Sequence, residues 1–188
     1  MRLQPMTTRA ADAPPAVLVV TGASGAGKTT LVRGLAARGL SGVRCHEFDA
    51  IGIPSDDEMQ ARFGGGEAFQ AWALDEWMRR LARNDDGARV AVLDAQVRPR
   101  AALDAFARHG ITRGAVVLVD CAMDERNARL RGPRAQPELA NARMDGWAAY
   151  LRGQADALDV PVLDTTDADV AAGVDILCDA VDRLRAAG

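Results

Sequence analysis

Near its N-terminus the chain reads Ala16-Val17-Leu18-Val19-Val20, a continuous apolar run, and then Gly22-Ala23-Ser24-Gly25-Ala26-Gly27-Lys28-Thr29, a glycine-rich turn. The apolar run is typical of a strand that is buried on both faces. The turn matches the pattern G-x-x-x-x-G-K-[ST], in which glycines let backbone N–H groups curl around phosphate oxygens while a helix N-terminus adds its positive dipole end. We therefore interpret these residues as a phosphate-binding loop between a strand and a helix.

The loop predicts how a nucleoside triphosphate and its metal would be held. Lys28 would reach the β- and γ-phosphates, and the Thr29 hydroxyl would ligate Mg²⁺. Because Lys28 is the only lysine in the chain, the N-K-x-D motif of guanine-specific GTPases cannot occur. We predict ATP and Mg²⁺ as cofactors, with Lys28 as a catalytic residue. The predicted ATP-binding set of the loop is Gly22, Ala23, Ser24, Gly25, Ala26, Gly27, Lys28, Thr29 and Thr30.

Beyond the loop, apolar strand patterns alternate with helical periodicity along the chain. Strands are predicted at residues 16–20, 43–48, 89–94, 114–120 and 160–163. Helices are predicted at 28–38, 67–83, 99–109, 123–131, 138–157 and 167–186, and Ser55 with Glu58 predicts the start of one more. This alternation predicts an α/β fold with helices on both faces of a five-stranded, mainly parallel sheet. Together with the phosphate-binding loop, it predicts the three-layer α/β/α architecture of P-loop NTPases. Residues 1–15 are expected to be a disordered lead, and residues 16–188 a single domain.

Composition and charge exclude several classes of protein. The 188 residues carry a formal net charge of −3, so we expect no basic surface for nucleic acid or for an anionic membrane. No apolar run approaches the ~18 residues that a membrane span requires, and we expect no secretory signal. Cys45, Cys121 and Cys178 are widely spaced and form no CxxC pair, which favours a reducing, cytoplasmic location. The sequence does not constrain the oligomeric state.

A second acidic residue is expected at the end of a neighbouring strand, where it would hold Mg²⁺ or its water. Two stretches have this form, Val90-Ala91-Val92-Leu93-Asp94 and Val116-Val117-Leu118-Val119-Asp120. An aspartate that only marks the exit of a buried strand gives the same pattern. We predict Asp94 as the metal residue beside Thr29, with Asp120 as the alternative.

From residue 16 to about residue 186 the chain resembles the P-loop small-molecule kinases, which include shikimate and gluconate kinases, adenylate kinase and chloramphenicol phosphotransferase. The resemblance rests on the phosphate-binding loop, on arginines after the fourth strand, and on the stretches Phe48-Asp49-Ala50-Ile51 and Leu163-Asp164-Thr165-Thr166. Residues 136–151 are also similar to a branch of bacterial ATP-binding proteins. The resemblance implies transfer of the γ-phosphoryl group of Mg-ATP to a hydroxyl of a small molecule.

The resemblance also implies roles for residues on the phosphate side of the site. Arginines after the fourth strand stabilise charge on the transferring phosphoryl group in these kinases. Of the arginines in 126–134, we assign ATP contacts to Arg126 and Arg134, with Arg126 as a catalytic residue. Thr165 falls where related kinases surround the adenine base with backbone, although a turn before the last helix would explain it too. Residues 132–137 would form a short lid.

On the acceptor side, Asp49 matches the aspartate that lies at the phosphoryl acceptor in these families. Its carboxylate would orient the acceptor hydroxyl and take its proton. Gln96 and Arg98 follow Asp94 at the carboxyl end of the sheet, where open α/β sheets bind ligands. Trp72 lies off the apolar stripe of its predicted helix, so it either covers the acceptor or packs under a neighbouring helix. The predicted acceptor contacts are Asp49, Gln96, Arg98 and Trp72.

Two other functions remain open at this point. An ATP-binding regulatory or partner protein would bind ATP without phosphorylating an acceptor. A nucleoside or nucleotide kinase would have the same fold, and its phosphate clamp could be formed by Arg62, Arg79, Arg80 and Arg98.

Overall fold

The structure is a computed structural model that describes residues 14–187. The predicted disordered lead therefore lies outside the described residues, except for Pro14 and Pro15, which have no regular secondary structure. Within the described range, no helix has both the length and the apolar content needed to cross a membrane.

The centre of the fold is a five-stranded sheet in which every described pairing is parallel. Its strands are β1 (Ala16–Thr21), β2 (Val43–Glu47), β3 (Val90–Asp94), β4 (Gly114–Asp120) and β5 (Val162–Asp164), in the spatial order β2-β3-β1-β4-β5. The prediction of a five-stranded parallel sheet is confirmed. All strands point the same way, so their carboxyl ends meet at one edge, where parallel sheets bind ligands.

Helices cover both faces of the sheet. They are α1 (Lys28–Ala37), α2 (Asp56–Phe63), α3 (Gly66–Arg83), α4 (Pro99–Arg108), α5 (Met123–Arg131), α6 (Ala142–Ala157) and α7 (Val170–Ala186), with short 3₁₀ turns at Phe48–Ile51 and Pro137–Leu139. In β1, Val17 and Val19 belong to a core shared with α3, α4 and α6, whereas Leu18 and Val20 belong to a core shared with α1 and α7. Because alternate side chains of a strand point to opposite faces, this division makes three layers, as predicted.

Two helices begin later than their periodicity predicts, because capping side chains set their N-termini. The helix predicted at 138–157 begins at residue 142, because the Asn141 side chain accepts a hydrogen bond from the Met144 amide (3.0 Å) and Pro137 opens a separate 3₁₀ turn. The helix predicted at 167–186 likewise begins three residues later, capped by Asp169. The predicted cap at Ser55 is confirmed, because Ser55 and Glu58 form a reciprocal capping box.

Candidate active site

The glycine-rich loop connects β1 to α1, and its backbone is curled so closely that a side chain would not fit at two of its glycines. Gly22 has a φ of 151°, and a Cβ there would collide with the carbonyl oxygen of Val119 in β4. Gly25 has a φ of 84°, and a Cβ there would lie 2.9 Å from the Arg126 side chain. Such a cradle directs backbone N–H groups inward at the start of a helix, the geometry that binds phosphate.

Lys28 is the first residue of α1 and lies buried beneath the loop. Its side chain is only 9% exposed, and its Nζ donates a hydrogen bond to the Ala23 carbonyl oxygen (3.1 Å). Burial lowers the pKa of Lys28 to about 8, because desolvation outweighs the attraction of Asp94, and the nearby positive charge of Arg134 lowers it further. A buried cation of this kind is stabilised when an anion binds beside it.

Thr29 and Asp94 form a short polar contact at the carboxyl edge of the sheet. The Thr29 hydroxyl donates to a carboxylate oxygen of Asp94 at 2.6 Å, because Asp94 ends β3 directly beside β1. Burial raises the pKa of Asp94, and the Thr29 hydrogen bond and the Lys28 charge oppose that rise. The alternative, Asp120, ends β4 and faces Arg152 (3.6 Å) instead. Hydroxyl and carboxylate oxygens are ligands that suit Mg²⁺.

A cavity of about 340 Å³ lies above this contact and joins residues from five regions of the chain. The phosphate-binding loop forms one wall, and Asp49 follows β2 on another side. Predicted residues at this cavity are Ser24, Gly25, Gly27, Lys28, Thr29, Asp49, Asp94, Gln96 and Arg134. The structure also brings Glu47, Phe69 and Gln70 to the cavity, which the sequence analysis did not select. No sequence signal marks Gln70, whose amide reaches the Gln96 carbonyl oxygen (2.6 Å) only through tertiary packing.

Eight predicted site residues do not line this cavity, namely Gly22, Ala23, Ala26, Thr30, Thr165, Arg126, Arg98 and Trp72. The last three have partners elsewhere. Arg126 is 3% exposed; its stem packs against Gly25, and its guanidinium pairs with Asp145 of α6. Arg98 pairs with Glu67 (2.7 Å). Trp72, 43% exposed, packs on Phe63 with ring centroids 5.0 Å apart, so of its two predicted roles it has the packing one here.

A second cavity, of about 190 Å³, lies on the other side of the loop. Thr30, Arg129 and Thr165 are among its lining residues. The Thr165 hydroxyl donates to the Ala26 carbonyl oxygen (2.8 Å), and Arg129 donates to both the hydroxyl and the carbonyl oxygen of Thr165. Thr165 therefore joins the end of β5 to the phosphate-binding loop. Arg129, rather than Arg126, is the arginine of α5 that reaches this side.

No protein-family profile matches the chain, and no curated protein matches its sequence. Solved structures do resemble it. The tunicamycin resistance protein of Deinococcus radiodurans has a TM-score of 0.62 at 16% identity, covering 89% of this chain and 95% of that one. A sugar kinase of Janibacter sp. has a TM-score of 0.59 at 23% identity, covering 92% of this chain and 98% of that one. The shikimate kinase of Acinetobacter baumannii, solved with shikimate, has a TM-score of 0.58 at 17% identity, covering 90% of this chain and 94% of that one. The chain has the fold of the P-loop small-molecule kinases, as the resemblance in sequence implies.

Proposed function

We propose that this protein is a phosphotransferase that moves the γ-phosphoryl group of Mg-ATP to a hydroxyl of a small molecule. One observation carries the proposal: a single cavity is lined by the phosphate-binding loop, by the Thr29–Asp94 pair and by Asp49. These are the three parts that a kinase needs, namely a phosphate cradle, metal-binding oxygens and a carboxylate for the acceptor. Proteins called shikimate kinase and sugar kinase share the fold.

On the nucleotide side, the proposal assigns the triphosphate to the loop and to Lys28. The glycine cradle has room for phosphate oxygens where a Cβ at Gly22 or Gly25 would not fit. The second cavity, beside Thr30, Thr165 and Arg129, would take the nucleoside. When bound, Mg-ATP supplies the activated phosphoryl group. Lys28 neutralises phosphate charge, while Thr29 and Asp94 offer oxygen ligands to the metal.

On the acceptor side, Asp49 would orient the hydroxyl and take its proton as the new ester bond forms. Arg134, from the proposed lid at residues 132–137, reaches the cavity and would neutralise charge on the transferring group. Arg126 is assigned a supporting role here, since its stem lies under the loop and its guanidinium is paired with Asp145. Arg98 and Trp72 are left out of the acceptor site, because both are engaged elsewhere.

The test is ADP release from Mg-ATP, with and without a pool of small hydroxylated metabolites. The wild-type protein should release ADP faster when the pool is present, and Lys28→Ala should abolish that stimulation. Stimulated turnover that survives in Lys28→Ala would contradict the assignment of the site. Tight ATP binding without stimulation by any pool would favour a nucleotide-responsive regulatory protein.

A further inference from the structure

The charges around the larger cavity are divided unevenly between its phosphate end and its acceptor end. Within the described residues, the cations that line it are Lys28 and Arg134. The proposed function assigns both to the phosphates: Lys28 begins α1 directly after the loop, and Arg134 comes from the proposed lid. The acceptor end, between Asp49 and the start of α3, has carboxylates from Asp49 and Glu47.

Two arginines whose partners lie at or beside the acceptor end form ion pairs with carboxylates. Arg33 donates twice to the Glu47 carboxylate, at 2.9 and 2.8 Å. Arg98 pairs with Glu67 and lies over the ring of Trp147. With Lys28 and Arg134 assigned to the phosphates, a carboxylate or phosphate on the acceptor would face the Asp49 carboxylate with no further cation among the described residues that line the cavity. Partly burying an uncompensated charge is strongly unfavourable.

The same end of the cavity offers neutral hydrogen-bonding groups beside an apolar wall. Gln70 uses its Nε2 to donate to the Gln96 carbonyl oxygen, which fixes the amide in place. The Oε1 of Gln96 accepts from the Ser24 hydroxyl (2.9 Å). In the part of the chain that the structure describes, Gln70 Oε1 and Gln96 Nε2 have no other partner, so both can bind a ligand. Phe69, only 6% exposed, lines the cavity beside them.

We infer that the acceptor is a hydroxylated molecule without a carboxylate or phosphate group. The amides of Gln70 and Gln96 hydrogen-bond to its neutral polar groups, Phe69 contacts its apolar face, and Asp49 receives the reacting hydroxyl. This inference rests on the proposed kinase function. A shikimate kinase shares the fold and was solved with a hydroxy acid, whereas the acceptor end here presents a fixed pair of neutral amides.

The experiment passes a small-molecule extract of bacterial cells over an anion-exchange resin at neutral pH. ADP release from Mg-ATP is then measured with the unretained and the retained fractions, with Lys28→Ala subtracted as background. Stimulation by the unretained fraction alone supports the inference. Stimulation by the retained fraction, alone or together with the other, overturns it while leaving the kinase function intact. No stimulation by either fraction, in a protein that binds ATP, overturns the kinase function and this inference with it.

A pair of variants then tests the amide contact. Gln70→Ala should raise the KM for the active fraction about 3- to 10-fold, the effect of one lost hydrogen bond, and leave the KM for ATP unchanged. Gln60→Ala, on the exposed face of α2 outside the cavity lining, is the matched control and should change neither. An unchanged KM for the acceptor in Gln70→Ala would contradict the amide contact.

Discussion

At the scale of single residues, Asp49 carries the sharpest chemical assignment. Among the described residues of the cavity, it is the carboxylate with no hydrogen bond or ion pair to another side chain, whereas Asp94 accepts from Thr29 and Glu47 from Arg33. An unpartnered carboxylate at the mouth of a phosphate site is free to accept a proton from an incoming hydroxyl.

We therefore expect Asp49→Asn to lower kcat about 10²- to 10⁴-fold, because the amide cannot take the proton. ATP binding should be unchanged, since Asp49 does not belong to the loop. Steady-state kinetics with calorimetric ATP titration would measure both effects. Asp57→Asn, in the exposed first turn of α2, is the control. Full turnover in Asp49→Asn would remove the proton-accepting role.

Two adjacent threonines provide a matched test of the metal assignment. The Thr29 hydroxyl donates to Asp94, whereas Thr30 points to the second cavity. Thr29→Val should raise the Mg²⁺ concentration needed for half-maximal ADP release by about 10-fold or more, because it removes one oxygen and releases Asp94. Thr30→Val should leave the Mg²⁺ requirement close to that of wild type. Equal Mg²⁺ requirements in both variants would show that the hydroxyl of Thr29 is not involved.

The buried Lys28 predicts a pH-dependent stability for the protein without ATP. Below about pH 8 the amine is charged in both the folded and the unfolded chain, so its burial lowers the free energy of unfolding. Between about 8 and 10.5 the folded protein loses this proton first, and the penalty disappears.

Accordingly, Lys28→Met should raise the free energy of unfolding at about pH 7 by up to about 3 kcal/mol. The gain should shrink to under about 1 kcal/mol at about pH 10, since little of the charge penalty is left there. Urea unfolding of both proteins at the two pH values measures this difference. A variant less stable than wild type at both values would show that the lysine stabilises the empty loop.

At the scale of elements, the close packing of α1 against α7 depends on two glycines. A Cβ at Gly34 would lie 2.5 Å from the Val174 side chain, and one at Gly173 would lie 2.7 Å from Leu31. These contacts hold the helix that begins at Lys28 against the core, so they fix the direction in which the helix N-terminus points.

Gly34→Ala should lower the free energy of unfolding by about 1–3 kcal/mol, because the added methyl forces the two helices apart. Gly153→Ala is the matched control, since Gly153 lies within α6 with no atom in reach of a new Cβ. That change should raise the free energy of unfolding by about 0.5–1 kcal/mol through helix propensity alone. Thermal unfolding of both variants shows whether each change raises or lowers the free energy of unfolding. A stabilising Gly34→Ala would contradict the packing described.

A helix, strand or turn can be predicted from sequence when the residues that encode it are close together in the chain. The strand before the loop, the loop itself and the Ser55 cap are encoded within a few residues each, and the structure has them where expected. The rotation of a helix about its axis, by contrast, depends on contacts with residues distant in the chain. Arg126 and Arg129 lie three residues apart on α5, and only packing against Asp145 and Thr165 decides which one reaches the phosphate side.

At the scale of the whole molecule, the site is where the parallel sheet places the ends of its strands. Pairing of β1 with β3 puts Asp94 beside the loop. This placement can be predicted from sequence, because ligands bind at the carboxyl ends of the strands in open α/β sheets. The position of α3 at the acceptor end of the cavity cannot be predicted in this way, because tertiary contacts such as Gln70 to Gln96 hold α3 at that edge. Those contacts bring neutral amides to the acceptor end, so the proposed acceptor class can be inferred only from the folded chain.

The most direct test of phosphoryl transfer is mass spectrometry of the acceptor pool after incubation with the protein and Mg-ATP. The account predicts one new species, heavier than a molecule of the pool by one phosphoryl group and formed in step with ADP. Its formation should be lost in Lys28→Ala and strongly reduced in Asp49→Asn. ADP and free phosphate formed in equal amounts, with every molecule of the pool unchanged, would show that the protein hydrolyses ATP and does not phosphorylate a small molecule.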